Sequence, residues 1–198
     1  TPYAGPEQGY KITPAQLEAA ITPKTRLFML NSPSNPTGAA YSSAELHAFG
    51  AVLRRHPDVL IATDDMYEHI YWAKEPFASF LTACPDLFDR TITINGVSKS
   101  YAMTGWRIGY CGGPATIVEA MSTIQSQSTS NPSSIAQKAA VVALNGDQTC
   151  VAERNKHFKA RHDFVVEGLN ALPGVRCIPG WGTFYAFAHV EQAMRDVG

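Results

Sequence analysis

Lys99 and Arg107 are the two charged residues of the stretch Ser98-Lys99-Ser100-Tyr101-Ala102-Met103-Thr104-Gly105-Trp106-Arg107. Just before them, Thr91-Ile92-Thr93-Ile94 is β-branched throughout and reads as a buried strand, followed by a turn-like Asn95-Gly96. An ammonium at the exit of a buried strand is poorly solvated, which lowers its pKa and makes a nucleophilic amine available. Spacing alone favours a solvated loop lysine over a nucleophile. Such an amine forms Schiff bases with carbonyl compounds. Other polar clusters also follow apolar runs: Asn31-Ser32-Pro33-Ser34-Asn35-Pro36-Thr37-Gly38 and Thr63-Asp64-Asp65-Met66-Tyr67.

These residues need elements to position them. Thr13-Pro14-Ala15-Gln16 opens a short helix with Thr13 as N-cap and Pro14 in the first turn. Thr25 to Leu30, apolar from Leu27 onward, is fit for an inner strand, and the prolines after it forbid further ladder pairing. Ser42-Ser43-Ala44-Glu45 is a capping box opening a helix to about Arg55. Val59 to Thr63 is a second buried strand, and Trp106 to Cys111 reads as another beyond the lysine. Helices are expected from about Pro114, after Ser133 as far as Asn145-Gly146, and from about Gln148 to Leu172. Val175 to Ile178 and Thr183 to Phe187 read as two last strands, and Val190 to Gly198 as the start of an amphipathic helix.

Buried strands separated by helices predict an α/β fold, a mainly parallel sheet with helices on both faces. The last strands follow a long helix, so residues 1–160 are expected to form part of a large domain and 161–198 the beginning of a smaller α/β domain. In parallel sheets ligands collect beyond the carboxyl ends of the strands, which would bring Asn35, Asp64, Tyr67 and Lys99 together. Pyridoxal 5'-phosphate needs such a set, having an aldehyde, a ring nitrogen, a phenolic oxygen and a phosphate. Asp64 suits the ring nitrogen, Asn35 and Tyr67 the ring oxygen, and the planar fork of Arg107 the phosphate.

The three motifs, ending in Gly96-Val97-Ser98-Lys99 through Arg107-Ile108-Gly109, resemble those of the class I aminotransferases of pyridoxal-phosphate fold type I, in that family's order. Tyr101 to Tyr110 and Gln125 to Pro132 have the character of the bacterial aspartate aminotransferases. Gly180-Trp181-Gly182-Thr183-Phe184-Tyr185 resembles a strand of the family's small domain. The resemblance implies that Lys99 is the catalytic residue, holding the Schiff base and then moving a proton between the substrate and the cofactor. It implies cofactor-binding roles for Asn35, Asp64, Tyr67, Lys99 and Arg107, with an amino acid (aspartate first) and a 2-oxo acid (2-oxoglutarate) as substrates. A homodimer is expected, and the chain looks like the middle of a longer enzyme. One departure is Gly96, where many relatives carry a phosphate-binding serine; Ser98 could compensate.

Plainer readings stand beside these. Asn35 fits a turn, Asp64 a helix N-cap, Tyr67 a packed aromatic and Arg107 a partner for a carboxylate. Trp106, Trp181, Phe184 and Tyr185 read as packing, and Asp65 as a turn aspartate. The 198 residues carry 17% charged residues and a net charge of −1, which advertises no nucleic-acid or anionic-membrane partner. The four cysteines lie far apart, as expected of reduced thiols in a cytoplasmic protein. The six histidines lack metal-ligand spacing, and no Gly-x-Ser-x-Gly marks a serine nucleophile. Within enzymes, an aromatic or broad-specificity aminotransferase or a pyridoxal-phosphate lyase fits the same motifs. An effector-binding module with the same fold but no catalysis is the reading from another class.

Overall fold

A computed structural model describes residues 2–197. Helix α1 (Pro14–Ala20) starts as its sequence predicts: the Thr13 hydroxyl accepts from Gln16 N, and the Gln16 side chain accepts from Thr13 N at 2.8 Å. Strand β1 (Leu27–Asn31) leads to α2 (Ser43–Arg54), whose N-terminus is closed by the reciprocal Ser42–Glu45 capping box. Then follow β2 (Leu60–Asp64), the single turn α3 (Phe80–Ala83), β3 (Thr91–Gly96) and β4 (Gly109–Gly112). Helices α4 (Ala115–Ser128), α5 (Ser134–Asn145) and α6 (Thr149–Asn170) come next. The chain closes on β5 (Arg176–Cys177), β6 (Ala188–His189) and α7 (Glu191–Val197).

The main sheet has the order β1-β2-β3-β4. The first three strands are parallel, with Asn31 opposite Asp64 and Asp64 opposite Ile94, so their carboxyl ends lie level. Phe49 and Leu53 of α2 pack with Leu30 and Ile61 on one face of the sheet, joined by Leu17 and Phe80. A smaller cluster joins Val97 and Ile108, on either side of the lysine loop, to Ala136 and Ala140 of α5.

Two expected strands differ from the structure. Residues 104–106 form a 3₁₀ turn and Arg107 is left-handed (φ +49°), a conformation no strand ladder accepts. The strand begins only at Gly109 and runs antiparallel to β3, Gly109 facing Gly96. Near the other end, Thr183 is left-handed as well (φ +67°), so residues 183–187 are irregular. In that region only Gly182 bridges, to Tyr71, and the ladder with β5 is made further on, at β6. No helix among the described residues is long and apolar enough to cross a membrane.

Candidate active site

The antiparallel turn of β4 decides where the site can be. A parallel β4 would begin at the opposite edge of the sheet, taking Arg107 away from Lys99. Because β4 folds back on β3, residues 97–108 form a loop that leaves and re-enters the sheet at the same edge, bearing Lys99 and Arg107 together. That edge is also where β1 and β2 end.

At the end of β2, the Asp64 carboxylate accepts from Met66 N at 3.1 Å, a local turn that fixes the chain between Asp64 and Tyr67. Asp65 N donates to the Ile94 carbonyl, stitching this turn to β3. Asp65 itself is 4% exposed, and burial, reinforced by Glu68 and Asp64, pushes its carboxyl up to about 7. It is thus a buried carboxyl that keeps its proton well above the usual carboxylate range, more than the turn residue its position in the sequence suggests.

Tyr67 is 3% exposed, its ring edge-on to Phe184 (5.6 Å between centroids) and to Tyr185 (5.9 Å). Its hydroxyl shares a 2.9 Å hydrogen bond with that of Tyr185. Burial, then Tyr185, then the Asp64 charge hold the Tyr67 phenol above its usual value, so at neutral pH it keeps its proton. Lys99, half-buried, places Nζ 5.8 Å from the centroid of the same Phe184 ring. Phe184 is therefore the common neighbour of the amine and the phenol.

Asn35 and Arg107 occupy the margin. Asn35 is exposed, and its backbone N donates to the Asn31 side chain (2.7 Å), whose Nδ2 donates to the Asp64 carbonyl (3.1 Å). Asn31 thus fastens the Asn35 loop to the end of β2. Arg107 is exposed, donates to the Thr104 carbonyl at 2.9 Å, and pairs with no carboxylate among the described residues. Neither residue touches Lys99 or Tyr67 directly among the described contacts. Gly96 cannot become serine without displacing neighbours: a Cβ there would sit 3.1 Å from both Gly109 Cα and the Ile108 carbonyl. The close approach of β4 accounts for the glycine.

One helix face supports the ensemble. From α6, Arg154 donates to the Ser100 carbonyl (2.7 Å) and Asn155 to the Tyr71 carbonyl (2.8 Å), while Nε2 of the buried His162 accepts from Gly180 N (3.1 Å). Phe158 packs on Phe184 at 5.5 Å. The i, i+4, i+8 spacing of Arg154, Phe158 and His162 puts them on one side of the helix. Arg154 carries no signal in the sequence, Phe184 and Tyr185 read there only as packing, and Asn31 stands out only as a polar residue closing an apolar strand.

The donor set suits pyridoxal phosphate: an amine, a protonated buried phenol, a carboxylate at the adjoining strand end, and an amide and an unpaired guanidinium at the rim. Residues 2–197 match the family model described as aminotransferase class I and II. The chain is 60% identical over 190 residues to the aspartate/prephenate aminotransferase of Nitrosomonas europaea, covering 96% of this chain and 48% of that protein. The crystal structure of the aspartate aminotransferase from Rhizobium meliloti superposes with a TM-score of 0.92 at 52% identity, over 96% of this chain and 47% of that one. An aromatic aminotransferase from Pyrococcus horikoshii superposes at 0.87 with 33% identity, over 93% and 49%. The chain spans about half the length of the curated relatives it matches.

Proposed function

The chain belongs to the class I and II aminotransferase family, and from that membership we propose that its protein is a pyridoxal-phosphate-dependent aminotransferase. The amino donor is aspartate and the acceptor 2-oxoglutarate, with prephenate a second acceptor suggested by the name of the Nitrosomonas relative. The observation that carries the reading is the shared contact of Lys99 and Tyr67 with Phe184, at the edge where Asp64 ends β2.

When bound, the cofactor supplies an aldehyde that takes up amines and a ring that withdraws electrons from the bond being broken. Lys99 Nζ would hold the aldehyde and, as a free amine, would serve as the base for the proton of the substrate α-carbon. Asp64 holds a proton on the ring nitrogen, which keeps the ring electron-poor. Tyr67, whose phenol burial holds above its usual value, would donate to the ring oxygen, and Asn35 would be a second donor to it. Arg107 takes the phosphate with its planar fork. Residues 1–160 belong to the large domain and 161–198 begin the small one. The protein works as a homodimer in the cytoplasm, where its four thiols would stay reduced.

The test is a half-reaction. Aspartate added without an oxo acid is expected to convert the visible cofactor band into that of the aminated cofactor, and 2-oxoglutarate to restore it. Fading of the band without amination would mean binding only. The likeness to the Pyrococcus aromatic enzyme favours a second reading, aromatic specificity; faster conversion with phenylalanine than with aspartate would select it.

A further inference from the structure

We propose that Tyr185 is a positioning residue that donates its hydroxyl proton to Tyr67, leaving the Tyr67 proton directed at the cofactor's ring oxygen. This rests on the reading of Tyr67 given above. Each phenol has one proton to give, and the two oxygens are 2.9 Å apart, so one tyrosine must donate to the other. Were Tyr67 the donor, it would face the ring oxygen with lone pairs alone, and two electron-rich oxygens would repel. Donation by Tyr185 removes that conflict. It also polarises the Tyr67 O–H, because hydrogen bonds in series strengthen one another.

The backbone holds this order in place through a closed circuit. Ile70 N donates to the Tyr67 carbonyl (2.9 Å), and Thr183 N donates to the Ile70 carbonyl (2.8 Å). Tyr185 N donates to Thr183 Oγ1 (3.2 Å), and the Tyr185 hydroxyl returns to Tyr67. Thr183 closes the circuit only by adopting a φ of +67°, which a β-branched residue rarely tolerates. It is fully buried there. Strain of this kind persists where the surroundings over-determine it, and here they orient two phenols.

The ionisable groups around the pair are Asp64 at the end of β2, Lys99 over the Phe184 ring, and Arg161 and His162 of α6, which line the groove beside Tyr185. Replacement of Tyr185 by phenylalanine removes one oxygen and keeps the ring contacts with Tyr67 and Phe184, so these groups stay in place.

The experiment is a double-mutant cycle on the full-length holoenzyme, reading the pH midpoint of the visible cofactor band. A donor to the ring oxygen draws electron density from the neighbouring protonated nitrogen, whose proton then leaves at lower pH. Loss of the donor raises the midpoint. Tyr185→Phe is expected to raise it by about 0.5 to 1 pH unit, the worth of one hydrogen bond. Tyr67→Phe is expected to raise it further, and adding Tyr185→Phe to that variant to change nothing. An unmoved midpoint in Tyr185→Phe, or an equal shift in the Tyr67→Phe background, would overturn the relay while leaving Lys99 and its cofactor intact. A wild-type protein with no visible band would instead overturn the reading of Lys99, and the relay with it.

Discussion

The two faces of the main sheet are built differently. On one, Phe28, Leu30 and Ile61 meet Leu46, Phe49 and Leu53 of α2, a core in which Phe49 is 1% exposed. On the other, Leu27, Met29 and Leu60 lie open, Met29 at 69%, and the same face of β2 ends in Asp64. The packed face provides most of this chain's own cohesion, and the open face carries Asn31 and Asp64 at its strand ends. Around the site, hydrogen bonds within turns hold the Asp64 and Arg107 side chains, and hydrogen bonds from α6 hold the backbone at Ser100 and Tyr71. Tyr67 is instead wedged between Phe184 and Tyr185.

Substitutions can break this contrast. Phe49→Ala should cost about 3–5 kcal/mol in urea unfolding, because it opens a cavity in the packed face. Asp65 comes next. Its carboxyl is raised from 3.8 to about 7, so the unfolded chain gives up that proton at lower pH than the folded one. The stability it contributes is fully present below about pH 4 and is lost as pH rises towards 7, a loss on the order of 2–4 kcal/mol. Asp65→Asn should flatten that slope and make the protein more stable at pH 7 than the wild type. Gly96→Ser should destabilise by about 1–2 kcal/mol through overpacking against β4. In this 198-residue chain by itself, Met29→Ala on the open face should change stability by less than about 0.5 kcal/mol. A Met29→Ala effect comparable to that of Phe49→Ala would show that the two faces are equally packed.

What could be read from the sequence was local. The capping boxes at Thr13 and Ser42 and the apolar strands β1 to β3 follow from neighbouring residues, and the structure has them where the patterns put them. The polar clusters after those strands mark the right edge of the sheet. Where local pattern misled, a left-handed residue intervened. Trp106-Arg107-Ile108 and Thr183-Phe184-Tyr185 have the composition of strands, yet Arg107 and Thr183 turn the backbone out of the ladder. Composition does not report such a turn at a non-glycine residue. The Tyr67–Tyr185 contact joins residues 118 positions apart, so no periodicity could announce it. Tyr185, read as packing from its neighbours alone, is oriented by partners that only folding brings near.

The central claim is that the Lys99 amine is the nucleophile at this edge, and the most direct measurement is borohydride reduction of the full-length protein with pyridoxal phosphate, followed by peptide mapping. The account predicts a single stable adduct on Lys99 and disappearance of the visible band. An adduct on another lysine, such as Lys11 or Lys156, or no adduct at all, would contradict it.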